Sequence, residues 1–128
     1  MIRLLVSTAA LVLLAACATE AGQRVQDFFR PASKGQAALT LGLNQYESGD
    51  YADSAKNLQA AIGKGLSNRE RVDAHKHLAF INCASSRERQ CRDEFRKALA
   101  IDPALELEAS EAGHPIWGPI FRSLKAGR

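Results

Sequence analysis

Aromatic residues are scarce in this chain. One Trp, two Tyr and five Phe make 6% of it. That leaves little for a core of packed rings, and abundant alanine points to helices that meet through small side chains. Four prolines and nine glycines are too few for a collagen-like or disordered chain. Charge of one sign is lacking as well. The 17 basic residues stand against 14 acidic ones, a net +3 spread along the sequence, so no nucleic-acid footprint is expected. The 128 residues allow one small domain and no large enzyme with a deep pocket. No phosphate-binding glycine loop, nucleophile elbow or Ser/His/Asp constellation occurs. His75 and His77 lie two apart, so on a helix they diverge by about 200° and cannot share an ion. His114 is distant, and no thiol or carboxylate cluster has ligand spacing. Neither metal nor cofactor nor catalysis is expected.

Long hydrophobic runs are absent except at the start. Arg3 precedes an apolar stretch from Leu4 to Ala16. This is the charged head and apolar body of a secretory signal, shorter than the roughly 20 residues of a membrane-spanning helix. Leu14-Ala15-Ala16-Cys17 resembles the lipobox of bacterial lipoproteins. The resemblance implies a signal peptide over residues 1–16, cleaved before Cys17, and a lipid on Cys17. Ala18 in place of Asp implies an outer-membrane address facing the periplasm. Several acyl chains anchor stably where one does not. Residues 17–34 then read as the acylated cysteine and a tether.

With Cys17 acylated, Cys83 and Cys91 remain as a pair. An even remainder in an oxidising compartment favours a disulfide, worth roughly 2–3 kcal/mol for so short a loop. A reactive dithiol or two buried thiols are the alternatives. The bond requires alpha carbons about 4.4–6.8 Å apart.

From Gly35 the sequence alternates helical periodicity with turns, and is expected to be all-α. Residues 35–47 and 51–62 make one helix pair around Ser48-Gly49-Asp50. Residues 72–84 and 87–101 make a second around Ser85-Ser86. At an offset of 37, Leu41 falls on Leu78, Gly42 on Ala79, Ser54 on Cys91, Leu58 on Phe95 and Ala61 on Ala98. This resembles the tetratricopeptide repeat, whose unit of about 34 residues carries Leu-Gly, aromatic, Ala, Phe, Ala and Pro at set places. The resemblance implies two helical hairpins, about 35–68 and 72–105, in a short α-solenoid. Arg69 to Arg71 account for the longer offset. The first repeat departs in having Ser54 and no terminal Pro, the second in lacking the Gly-Asp-Tyr turn.

Residues 106–128 are read as a cap and a Gly/Pro/Trp segment. A helix is expected over Ala104 to Ala112, covering the last repeat, because two repeats alone expose an end. A shorter one is expected from Ile120 to Lys125. Trp117 and Phe121 either fold back on the domain or serve as an aromatic anchor for a partner. The family analogy places Gln36, Leu39, Leu43, Tyr46, Asp73, Lys76 and Phe80 on a concave face suited to a peptide or helix. The expected function is that of a membrane-anchored periplasmic adaptor whose partner is an envelope or secretion-system protein. The Gly113–Pro119 ending is similar to that of repeat lipoproteins linked to type VI secretion. The alternatives are a regulator of a peptidoglycan enzyme, a pilotin-like assembly lipoprotein, and a thiol-active or small-ligand-binding protein.

Overall fold

Turn residues divide the chain into helices that pair through small side chains. In the computed structural model, which describes residues 31–127, six helices and no strand occur among those residues. They are α1 (Gln36–Glu47), α2 (Tyr51–Lys64), α3 (Asn68–Ala84), α4 (Glu88–Ile101), α5 (Ala109–Ala112) and α6 (Trp117–Ala126). The expected signal peptide, the expected acylation site Cys17 and most of the expected tether lie outside the described residues.

α1 and α2 run antiparallel and touch at Gly42. A Cβ on Gly42 would stand 2.9 Å from Leu58 Cγ, so only a bare backbone allows this approach. Ser54, fully buried, donates its hydroxyl to the Gly42 carbonyl at 2.7 Å, which satisfies it away from water. α3 and α4 repeat the arrangement with larger contents, as Ala79 and Cys91 pack in one cluster with Phe95. Phe95 is fully buried, which is worth about 2–3 kcal/mol of apolar transfer. Leu58 and Leu78 belong to a neighbouring cluster between the hairpins, and Tyr46 touches both clusters.

The two hairpin turns share three backbone hydrogen bonds. The amides of Ser48, Gly49 and Asp50 donate to the carbonyls of Asn44, Tyr46 and Gln45. Those of Ser85, Ser86 and Arg87 donate to Ile81, Cys83 and Asn82, each 37 residues on. The left-handed residue also recurs: Gly49 has φ +84° and Ser86 φ +59°. Gly accepts that conformation freely, whereas Ser adopts it at a steric cost. A disulfide joins Cys83 to Cys91 across the second turn, with alpha carbons 5.1 Å apart. Both sulfurs point inward, since the residues are 4% and 0% exposed.

α3 starts earlier than expected. Ser67 accepts from the Glu70 amide and Glu70 accepts from the Ser67 amide, a reciprocal cap that starts the helix at Asn68. Arg69 to Arg71 are thus its first turn, not an inserted loop.

The cap differs from expectation too. No helix spans Ala104 to Ala112, and only α5 forms there. The Asp102 carboxylate accepts from the Ala104 amide and its carbonyl from the Leu105 amide, which makes a turn. Leu105-Glu106-Leu107-Glu108 then alternates half-buried and exposed, the period of extended chain. Both leucines pack on the second cluster. The covering helix is α6, which begins at Trp117 with Pro119 in its first turn and buries Phe121 to 3% exposure against Phe95.

Candidate functional site

The face formed by α1, the start of α2, α3 and the start of α6 with the turn before it carries a row of touching rings. Tyr51 leans on Tyr46 at 5.5 Å between centroids. Tyr46 meets His77 edge-on at 4.9 Å, and His77 meets Phe80 at 5.6 Å. Trp117 stacks on Phe80 at 4.6 Å, and His114 stacks on Trp117. Asp73, His77 and Phe80 share one side of α3 because residues spaced by three and four align on a helix. Phe80 is sealed at 1% exposure, while Tyr46, His77, Trp117 and His114 are half-buried and Tyr51 is 45% exposed.

Polar groups along the row mostly have partners. His77 Nδ1 donates to the Asp73 carbonyl at 2.8 Å, and the Trp117 indole N–H donates to the Glu111 carbonyl at 2.9 Å. His114 Nδ1 accepts from the Ile116 amide. Lys76 and Glu111 form an ion pair at 2.8 Å with only 11% and 19% of their side chains exposed. Burial pushes the His77 imidazole below its ordinary pKa, the bond to Asp73 opposes this, and the Lys76 charge adds to it. Burial also raises Tyr46, with help from Tyr51 and Glu111. At neutral pH the His77 imidazole and the Tyr46 phenol are therefore uncharged.

The concave face expected from the sequence is closed over much of its length. Leu39, Lys76 and Phe80 are 5%, 9% and 1% exposed. Lys76 is held by Glu111, and Phe80 lies under Trp117. These three are corrected from contact residues to packing residues. Gln36 is exposed, Leu43 and Tyr46 are half-buried, and Asp73 lines a separate cleft of about 390 Å³ with Val72, Ile101 and Leu105. Of the two readings of Trp117 and Phe121, the structure shows the fold-back on the domain. Phe121 is core, and Trp117 is pinned on Phe80 with only part of its ring in solvent. The physical reason is that the open end of two hairpins must be covered, and the apolar C-terminal segment lies next to it in the chain.

His77, Glu111, His114 and Tyr51 were not singled out as site residues by the sequence. His77 was legible from its spacing to Asp73 and Phe80. Glu111 and His114 had no such signal, because the turn after α4 decides where they land.

Elsewhere, His75 Nδ1 lies 2.6 Å from Glu94, which also binds Lys97 at 2.7 Å. Burial raises the Glu94 carboxyl, but the bonds from His75 and Lys97 outweigh it and hold it below its ordinary pKa. This pair ties α3 to α4. Among the described residues no group of three His, Cys, Asp or Glu is placed to hold a metal, and no helix is long and apolar enough to cross a membrane. Compared with known proteins, the chain matches no family model, no curated protein and no solved structure.

Proposed function

We propose that this chain is a lipid-anchored periplasmic adaptor of the tetratricopeptide-repeat kind. Cys17 carries the lipid at the outer membrane, and the helical domain docks a protein of an envelope assembly or secretion machine. One observation carries the repeat reading: three backbone hydrogen bonds of the first turn recur in the second at the 37-residue offset. Stacked helical hairpins use their shared face to hold segments of other proteins. The half-exposed ring row supplies such a face, with aromatic anchors of the type that dominate binding energy. A type VI secretion apparatus is the favoured machine, on the resemblance of the Gly113–Pro119 ending.

The test has two readouts in a bacterial host. Growth with an alkyne-tagged palmitate should label the chain and place it in the outer-membrane fraction. Cys17→Ser should abolish both. A labelled or membrane-bound Cys17→Ser chain overturns the anchor. A photo-crosslinking residue at the exposed position 51 should trap an envelope protein, and the absence of any adduct overturns the adaptor.

A further inference from the structure

We propose that the open side of α1 pairs with the same side of α1 in a second copy of this chain, antiparallel about a two-fold axis between Thr40 and Leu41. The pairing is independent of the lipid and of the partner in the adaptor reading.

The first argument is what covers the equivalent surface. Ala37, Leu41 and Asn44 form one exposed stripe of α1, spaced by four and three. Thirty-seven residues on stand Ala74, Leu78 and Ile81, which are 0%, 3% and 2% exposed. They are sealed because the first hairpin packs on them, in the cluster that holds Leu39, Leu58 and Ala61. The stripe on α1 is thus a helix-packing face that no helix covers among the described residues, and it leaves Leu41 49% exposed. The far end of the stack is closed by α6, whose Phe121 is buried against Phe95. A second copy therefore has no open end to add to the stripe, and what it can offer is the stripe itself. Identical chains pair most often through such self-facing contacts.

The second argument is charge. No charged residue occurs from Gly35 to Tyr46. The outward sides of other helices differ: α2 pairs Asp53 with Lys56, and α4 pairs Glu88 with Arg92 and Asp93 with Arg96. A two-fold axis turns a surface onto itself, so a charge near the axis would face its own copy. A neutral stripe avoids that repulsion. Opposite charges flank the neutral run, Lys34 before it and Glu47 at its end. Both are exposed, and neither has an ion-pair partner among the described residues. An antiparallel pairing sets the Lys34 end of one α1 beside the Glu47 end of the other, at both ends of the contact. A parallel pairing would bring like charges together and align the helix dipoles unfavourably.

The third argument is register. The axis lies at the middle of α1, so the two helices overlap over all 12 residues, a length of about 18 Å. Ala37 of one copy lies level with Asn44 of the other, and Thr40 and Leu41 meet at the axis. One helix face from each copy is small beside the roughly 1,200 Å² of a stable complex, so the dimer is weak and depends on concentration.

Sedimentation equilibrium of the full-length chain in density-matched detergent, from about 1 μM to 1 mM, should show a monomer–dimer equilibrium. Leu41→Arg puts a charge at the axis and should weaken it about tenfold or more, and the exposed position spares the core. Lys34→Glu and Glu47→Lys should each weaken it about threefold. An equimolar mixture of these two variants should return to near the original affinity, because each copy then meets its opposite at both ends. That exchange decides the matter even if Leu41→Arg fails to fold. A chain that stays monomeric at the highest concentration overturns the inference. So does a dimer that a folded Leu41→Arg leaves intact, or a mixture no tighter than its components. A monomer that a photo-crosslinking residue at position 41 ties to a different protein in the bacterial host gives the stripe to that protein, and overturns the pairing too.

Discussion

Cys91 occupies, in the second hairpin, the place that Ser54 holds in the first, and this makes Cys91→Ser unusually informative. The disulfide spans eight residues and lies in a buried cluster. A closed loop of that length restrains the unfolded chain by about 2.5 kcal/mol on the chain-entropy model. Cys91→Ala should lose that amount, lowering the melting temperature of a domain this size by roughly 10–15 °C. Cys91→Ser loses the bond as well but gains a hydroxyl where Ser54 donates to the Gly42 carbonyl at 2.7 Å. The equivalent acceptor is the carbonyl of Ala79. A bond there returns about 0.5–1.5 kcal/mol, so Ser should sit about 1 kcal/mol above Ala. Urea unfolding of the oxidised protein, the reduced protein and both variants measures every step. A hydroxyl without a partner in this fully buried spot costs energy. If Ser is less stable than Ala, the two hairpins do not place position 91 as they place position 54, and the structural equivalence fails. If reduction leaves the urea midpoint unchanged, the disulfide contributes no stability.

Three other outcomes follow from local geometry. Ser86→Gly should stabilise by about 0.5–1 kcal/mol in urea unfolding, because φ +59° is strained for serine and Gly49 occupies the same turn position; a loss of stability would refute the strain. Glu111→Ala should cost about 2–3 kcal/mol by stranding the Lys76 ammonium, and adding Lys76→Met should restore at least half; a double variant weaker than the single one would show that the charge was not the problem. Burial holds His77 neutral below its usual pKa of 6.5, so the unfolded chain takes up the proton first. Stability should therefore fall as pH drops from about 7 and level off below the folded pKa. His77→Gln should flatten that part of the profile of urea midpoint against pH, and an unchanged slope would assign it to another group.

The hairpins were legible because their determinants are local. Apolar spacing of three and four, Gly49, Gly65 and the Ser85-Ser86 turn each act within a few residues, and the structure keeps those boundaries. The early start of α3 was legible too, in Ser67-x-x-Glu70, but the repeat register drew the boundary to residue 72. The expected helix over Ala104 to Ala112 failed for a local reason also. The Asp102 carboxylate and carbonyl take the Ala104 and Leu105 amides into a turn, and Leu105 and Leu107 gain burial in an extended segment.

What the sequence determined by itself was the helical class, the paired turns and the close approach at Gly42 and Ala79, since these depend on residue size and spacing within one hairpin. Tertiary structure alone decided which faces stayed open. Leu41 and Leu78 sit at equivalent positions, yet one is 49% exposed and the other 3%, because only Leu78 packs between two hairpins. Lys76 and Phe80 lost their solvent in the same way, to Glu111 and Trp117 arriving from more than thirty residues away. Burial at such positions is a property of the neighbour, and no periodicity within a helix encodes which neighbour will come.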